Sequence, residues 1–187
     1  LTLYLGFSKS LKALGHQHYS TFVFDESVKS QQDIQANNHA DFDKRGFTFV
    51  DYSQVDSALA PPGKSVGAIC CIDYLADWEH LDRRAYLAKK KLVAEQFINR
   101  LEILIPGCRS HIEQIDVGTS KTVRRYTLNP GGAVYGFAQV PNRTSLNVHE
   151  NFSNMHIASA WGKFGGGFSG AIFSGYMTAV DLVRQMR

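Results

Sequence analysis

The C-terminal third of the chain combines an apolar segment, a cluster of glycines and a helix pattern, in that order. The apolar segment covers 155–161, the glycines lie between 165 and 170, and the helix pattern continues to Arg187. We expect a strand, a glycine-rich turn and a helix. Glycine has no Cβ, so such a turn can pass close to a bound ring or to another backbone. The first amides of the following helix lack intrahelical acceptors and suit an anion or an electron-rich ring.

The spacing of Gly165, Gly167 and Gly170 matches the G-x-G-x-x-G pattern of dinucleotide-binding turns. That pattern opens a βαβ unit, with an acidic residue about 20 positions further on. Only residues 171–187 follow here, and one helix fills them. A self-contained dinucleotide site is therefore not expected at this turn. Either the last helix packs closely on a strand, or the turn closes over a cofactor that another segment holds.

Composition places the chain among folded domains. Its 187 residues are 44% hydrophobic and 20% charged, which suits one domain of ordinary size. A net charge of +3 gives no argument for nucleic acid. Three cysteines without a disulfide framework, and no apolar run of about 18 residues, predict a cytoplasmic or peripherally membrane-bound protein that is not secreted. Because the chain begins with Leu1 rather than methionine, we expect a piece of a longer protein.

Apolar periodicity predicts an α+β fold, with a mainly antiparallel or mixed sheet and helices on one face. The predicted elements are strands at 1–7, 18–24, 46–53, 66–74 and 110–117, a long helix at 82–104, a helical turn at 122–127, an extended stretch at 133–136, and the final strand and helix. Antiparallel sheets often keep one face open. The aromatic residues are consistent either with an aromatic core or with an open face that something flat and apolar covers.

Motifs for other chemistries are weak. The seven histidines are scattered, and His16 and His18 form the one close pair, so no metal site is expected. The sequence contains no G-x-S-x-G motif, and the run around Lys64 lacks the upstream glycine of a phosphate-binding loop. In the last helix, Ala171, Gly175 and Ala179 form a smooth ridge that suits close packing or contact with a bound ring.

Several motifs occur in the order found in one enzyme family. They are the A-P-P-G-K turn at 60–64, a Y-x-x-x-K helix beginning at Tyr86, a T-x-x-T-x-x-R-Y-T-x-N-x-x-G-x-x-Y-G run at 119–136, and an A-x-A-W-x-x-x-G-G-G-x-x-G-x-x-x-S-G run at 158–175. With them, the chain resembles the C-terminal part of the flavin-dependent phytoene desaturase, carotenoid isomerase and retinol saturase family. The resemblance extends over nearly the whole chain, and its last two motifs are the specific ones.

The resemblance implies part of an amine-oxidase-like FAD enzyme that desaturates, saturates or isomerises carotenoid, retinoid or similar polyenes. It assigns 1–154 to a substrate-binding domain and 155–187 to a segment that completes an FAD-binding domain. The N-terminal half of that domain would come from the same protein, so this piece alone is expected to be inactive and to hold FAD poorly. The residues expected nearest the flavin are Ala160, Trp161, Gly166, Gly167, Phe168 and Ser169.

For the substrate, the resemblance points to Tyr135 and Trp161. A polyene needs an elongated apolar tunnel, for which we expect flat walls from Phe22, Phe24, Phe47, Phe49 and Tyr52. An apolar surface of this kind is compatible with peripheral membrane contact and with a homodimer. The catalytic residues are not predicted, because the flavin supplies the redox chemistry. The alternative function is a non-catalytic module that binds an apolar ligand or a partner subunit.

Overall fold

A computed structural model describes residues 1–55, 57–136, 140, 152 and 154–186. The chain divides into two compact units, Leu1–Gly132 and Ala133–Arg187. These units are defined by contacts within each of them. The boundary predicted at residue 154 separates a substrate-binding part from a flavin-binding part, and it stays a prediction. Residues 141–154, whose polar sequence predicts a loop, fall largely outside the described residues.

The first unit is built on a five-stranded sheet that is antiparallel at every junction. Its strands, with α1 (Gln31–Asn37) between the second and third, are β1 (Thr2–Phe7), β2 (Ser20–Val23), β3 (Phe47–Asp51), β4 (Ser65–Cys71) and β5 (Ile112–Gly118). Their order across the sheet is β2-β3-β4-β1-β5. The predicted α+β class is therefore confirmed, and each predicted strand of this unit lies within a few residues of its expected position.

The long helix α2 (Arg83–Leu104) supplies the other layer of the core. It starts where Asp82 accepts a hydrogen bond from the Ala85 amide at 2.8 Å, which satisfies one of the free amides of its first turn. Phe97 and Leu101 are fully buried on its inner stripe. The sheet meets this stripe with the alternate side chains of its central strands, namely Leu3, Leu5, Phe7, Phe49 and Ile69. Burial of these side chains is the main force that holds helix and sheet together.

Strand register divides the aromatic side chains between two faces of the sheet. Residues directly opposite each other share a face, and Phe49 pairs with Ile69 on the α2 side whereas Phe22 pairs with Thr48 on the opposite side. On that opposite side Tyr4 is 53% exposed and Phe22 is 70% exposed. The aromatic core and the open apolar face both exist, each built from alternate residues of the same strands.

The second unit contains one helix, α4 (Phe168–Gln185), among its described residues. The strand predicted at 155–161 is wrong, because these residues form no ladder. Their polar groups bond instead to side chains of α4: the Ser159 amide donates to Ser174 Oγ at 3.2 Å, and Thr178 Oγ1 donates to the Ile157 carbonyl at 3.4 Å. The extended stretch predicted at 133–136 is also absent, since residues 134–136 form bends.

After β5 in the sequence comes α3 (Ser120–Thr127), where a helical turn was predicted. The Thr119 side chain begins it by accepting from the Thr122 amide. None of the helices in the described part of the chain combines the length and apolar character needed to cross a membrane.

Candidate functional site

The glycine-rich turn before α4 has the backbone that its sequence predicts. Gly165 and Gly166 have φ angles of 58° and 76°, in the left-handed region that residues with a Cβ seldom adopt. Gly167 is the N-cap of α4 and provides no side-chain acceptor. The chain therefore enters α4 through a bare, sharply bent backbone.

Two separate motifs of the sequence meet at this turn, within the second unit. The Gly136 amide donates to the Gly166 carbonyl at 3.4 Å. A Cβ at Gly136 would lie 1.8 Å from the Ala160 carbonyl oxygen, and a Cβ at Gly167 would lie 2.7 Å from the Tyr135 ring. The structure thus brings together four predicted site residues: Tyr135, Ala160, Gly166 and Gly167.

The other predicted cofactor contacts are next to this cluster. Trp161 is half-buried, and its amide donates to Ser159 Oγ at 3.1 Å. Phe168, 88% exposed, and Ser169 form the first turn of α4. Their amides and that of Gly170 donate to no acceptor among the described residues. This end of α4 offers backbone donors to an anion or an electron-rich ring.

Sequence reasoning missed two residues that shape the site. Gly136 lies against the Ala160 carbonyl, and the signal was available in the closing Y-G of its motif. Ser174 is almost fully buried and accepts the Ser159 amide, which ties the turn to α4. A lone serine between Phe173 and Gly175 was the available signal for this contact. Both residues act on the shape of the backbone.

The first unit offers a separate apolar groove on the open side of the sheet, with a volume of about 430 Å³. Its walls include Tyr4, Val66 and Pro61 together with the polar Gln114 and Asp116, and an ion pair between Lys64 and Glu113 borders it at 2.6 Å. Two of the expected tunnel walls are corrected here. Phe47 and Phe49 face α2 and are buried in the core, so they cannot line an apolar binding surface.

Two polar clusters of the first unit have structural roles. Asp73 Oδ2 accepts from the Trp78 indole and from the Ser120 amide, both at 2.8 Å, and so joins the end of β4 to the start of α3. Arg45 is buried and donates to the Ile72 carbonyl at 2.9 Å and to Asp77 at 3.1 Å. Within the described ranges, no three His, Cys, Asp or Glu side chains come together as metal ligands would.

Comparison with known proteins gives a coherent set of relatives. The chain is 42% identical over 83 residues to a chloroplastic prolycopene isomerase of Daucus carota, and also 42% identical over 83 residues to that of Arabidopsis thaliana. It is 39% identical over the same length to prolycopene isomerase 2 of an Oncidium hybrid cultivar. No family model matches the chain.

The extent of these matches limits what they establish. The matched stretch is 44% of this chain, 13% of the Daucus carota protein and 14% of each of the other two. Over that stretch, the chain is related to carotenoid isomerases, as the sequence motifs indicate. The names of these relatives place them in the chloroplast, whereas the sequence of this chain predicted the cytoplasm or a membrane periphery.

Proposed function

We propose that this chain is part of an FAD-dependent enzyme that changes the configuration of carbon–carbon double bonds in a carotenoid or similar polyene. The observation that carries the proposal is the 42% identity over 83 residues to proteins named prolycopene isomerase. Among the three reactions that the sequence motifs left open, those names favour isomerisation over desaturation or saturation.

The turn before α4 fits the flavin that the motifs imply. Ala160, Trp161, Gly166, Gly167, Phe168 and Ser169 would hold it. Of these, Phe168 and Ser169 present free amides at the positive end of α4, and no charged side chain belongs to the set. Bound FAD would supply the electron transfer, while the chain would supply binding and orientation. Tyr135 packs on Gly167 and would shield that side of the turn from water.

The open face of the sheet supports an apolar substrate. Tyr4 and Phe22 stand exposed on this face, and Val66 and Pro61 line the groove beside Tyr4. A polyene has few hydrogen-bonding groups, so its site must be apolar and elongated. This face replaces the walls expected from Phe47 and Phe49. Phe22, Phe24 and Tyr52 remain from the original set, since all three are exposed. Tyr135 and Trp161 stay the proposed substrate contacts of the second unit.

The exposed side of α4 supports a further polypeptide partner, the N-terminal half of the flavin-binding domain. Phe168, Ile172 and Tyr176 follow one another at four-residue intervals and are all largely exposed. Residues at this spacing share one helix face. A contiguous apolar face of this kind is normally covered by another part of the protein or by a partner.

A cell-based assay tests the function. The chain, together with the coding sequence that flanks it in its gene, would be expressed in a host that accumulates prolycopene. We expect a polyene product of unchanged mass and altered retention time in liquid chromatography with mass detection. A product lighter or heavier by two hydrogens would replace isomerisation with desaturation or saturation.

Two variants sharpen this assay. Gly170→Val should abolish conversion, because a side chain there collides with the Gly165 carbonyl oxygen, which lies 1.7 Å from the ideal Cβ position. Gly118→Val is the matched control, since the nearest atom to its added Cβ outside its chain neighbours is the Thr2 carbonyl oxygen at 3.9 Å, an ordinary van der Waals distance. Binding of a polyene without flavin and without conversion would favour the alternative, a non-catalytic module for an apolar ligand.

A further inference from the structure

A cationic groove of about 520 Å³ lies in the first unit, between α3 and the segment that precedes α2. From α3 and its end it is lined by Lys121, Arg124, Arg125 and Leu128. These positions are spaced i, i+3, i+4 and i+7, so a single face of the helix supplies them. Leu75, Glu79 and His80 form the opposite wall.

The positive charges in this groove are largely uncompensated. Neither Arg124 nor Arg125 forms an ion pair with any described carboxylate, and Glu79 is the one carboxylate in the lining. Lys121 donates to the Leu81 carbonyl at 3.3 Å, and its ammonium lies 5.1 Å from the centre of the Tyr86 ring. Neither contact neutralises its charge. Three cations therefore face one anion across the groove.

Leu128 is an independent anomaly at the edge of the same groove. Its φ and ψ of 60° and 11° are left-handed, and it is the one non-glycine residue with positive φ in the described part of the chain. This conformation costs a residue with a Cβ about 1–2 kcal/mol. The side chain is nevertheless 84% exposed. A strained backbone that holds an apolar side chain in water is an observation that points to a ligand or a surface.

We propose that this groove binds a phosphate group attached to an apolar chain. Arg124 and Arg125 would grip the phosphate oxygens, since guanidinium groups donate pairs of hydrogen bonds to phosphate. Lys121 would add a third positive charge, and Leu128 and Leu75 would contact the apolar chain. Glu79 would repel the anion from the other wall and so set its position nearer α3. None of these residues belongs to the sets proposed for the flavin and the polyene, and the proposal does not depend on those sets.

A phosphate group on an apolar chain can come from a single phospholipid molecule in solution or from the surface of a bilayer, and the experiment separates these two sources. Binding to the 187-residue chain would be measured by calorimetry for inorganic phosphate and for a short-chain phosphatidylglycerol below its micelle concentration. Cosedimentation would measure binding to phosphatidylglycerol vesicles, with phosphatidylcholine vesicles as the reference. We expect the short-chain lipid to bind more tightly than inorganic phosphate, because Leu128 and Leu75 contact only the lipid. Vesicle binding in addition would identify a bilayer as the source.

The variants locate the binding. Arg124→Ala with Arg125→Ala should weaken lipid binding by about tenfold or more, with an unchanged circular dichroism spectrum. The control is Lys9→Ala with Lys12→Ala, which removes the same amount of positive charge and should leave binding unchanged. Thr2, at the start of β1, pairs with Gly118 just before α3, whereas Lys9 and Lys12 follow the other end of β1. Arg124→Lys with Arg125→Lys keeps the charge, preserves folding and should lose part of the affinity.

Three results would overturn the proposal. One is that none of the phosphate compounds binds. Another is that lipid binding weakens equally in the variant with Arg124→Ala and Arg125→Ala and in the Lys9 and Lys12 control. The third is inorganic phosphate binding as tightly as the lipid, which would remove the role of Leu128. Because none of these measurements involves flavin or polyene, their failure would leave the proposed enzymatic function standing.

Discussion

Gly170 and Gly175 lie on the same helix, and the same substitution should have opposite effects at the two positions. Beyond the backbone of its own helix, the Cβ of an alanine at Gly175 would meet no described atom within 4 Å. Alanine in a helix interior is more favourable than glycine by about 0.8–1.0 kcal/mol. Gly175→Ala should therefore stabilise α4 by about 1 kcal/mol. Gly175 itself is therefore not needed for close packing among the described residues.

Gly170→Ala should destabilise the same helix. Its Cβ would lie 1.7 Å from the Gly165 carbonyl oxygen and 2.9 Å from the carbonyl carbon. The obstacle is backbone in a left-handed turn, so it cannot move aside as a side chain would. Overpacking costs about 1–3 kcal/mol, and the upper end applies to a backbone collision. After subtraction of the helix preference of about 1 kcal/mol, the expected loss is about 2 kcal/mol.

Amide hydrogen exchange measured by mass spectrometry reports on α4 directly. Exchange from a helix that opens locally follows its opening equilibrium. Peptides covering 171–185 should exchange about fivefold more slowly in Gly175→Ala and about thirtyfold faster in Gly170→Ala. Peptides from α2 in the first unit provide the internal reference. Equal protection of α4 in both variants would refute the close approach of the turn to the helix.

Four further predictions concern the first unit. Phe97→Ala should cost about 3–5 kcal/mol, because Phe97 is fully buried between α2 and the sheet, and urea unfolding measures this loss. Asp82→Ala removes the cap of α2 and should cost about 1 kcal/mol, seen as a melting temperature lower by about 2–4 °C. Burial raises the pKa of both the Cys71 and Cys108 thiols to about 12. Iodoacetamide at about pH 8 should therefore modify the exposed Cys70 first, and Cys71 and Cys108 only after the chain unfolds. Burial lowers the pKa of His16 from 6.5, so as the pH falls the unfolded chain takes up this proton before the folded chain does. The free energy of unfolding should therefore decrease as the pH drops below about 6.5. His16→Gln should reduce this trend, which the midpoints of urea unfolding at several pH values would measure.

The core of the first unit could be predicted because the spacing of apolar residues along its strands and along α2 follows which side chains are buried. Leu3 and Leu5 alternate with outward residues along β1, and Phe97 and Leu101 recur at helical spacing in α2. Period two and period 3.6 are sufficient to identify strand and helix in such segments. Periodicity could not tell which strand face α2 covers, so Phe47 was assigned to a wall and lies in the core.

The error at 155–161 has a different physical cause. An apolar segment becomes a strand only if a neighbouring strand accepts its hydrogen bonds, and the chain sequence does not state where such an edge exists. Here side chains of the following helix, Ser174 and Thr178, bond to the segment instead. The cationic groove was missed for a related reason. The spacing of Lys121, Arg124 and Arg125 could be read from the sequence, but the wall formed by Leu75 and Glu79 is distant along the chain.

The contacts around the turn bear on the two interpretations left open for its glycines. Packing alone accounts for Gly136 and Gly170, since carbonyl oxygens fill the positions where their side chains would be. Backbone conformation alone accounts for Gly165 and Gly166. Gly175 is explained by neither, because a side chain there has open space and would strengthen the helix. The bound ring or the covering polypeptide proposed above would explain it, because Gly175 is on the same side of α4 as the exposed Phe168 and Ile172.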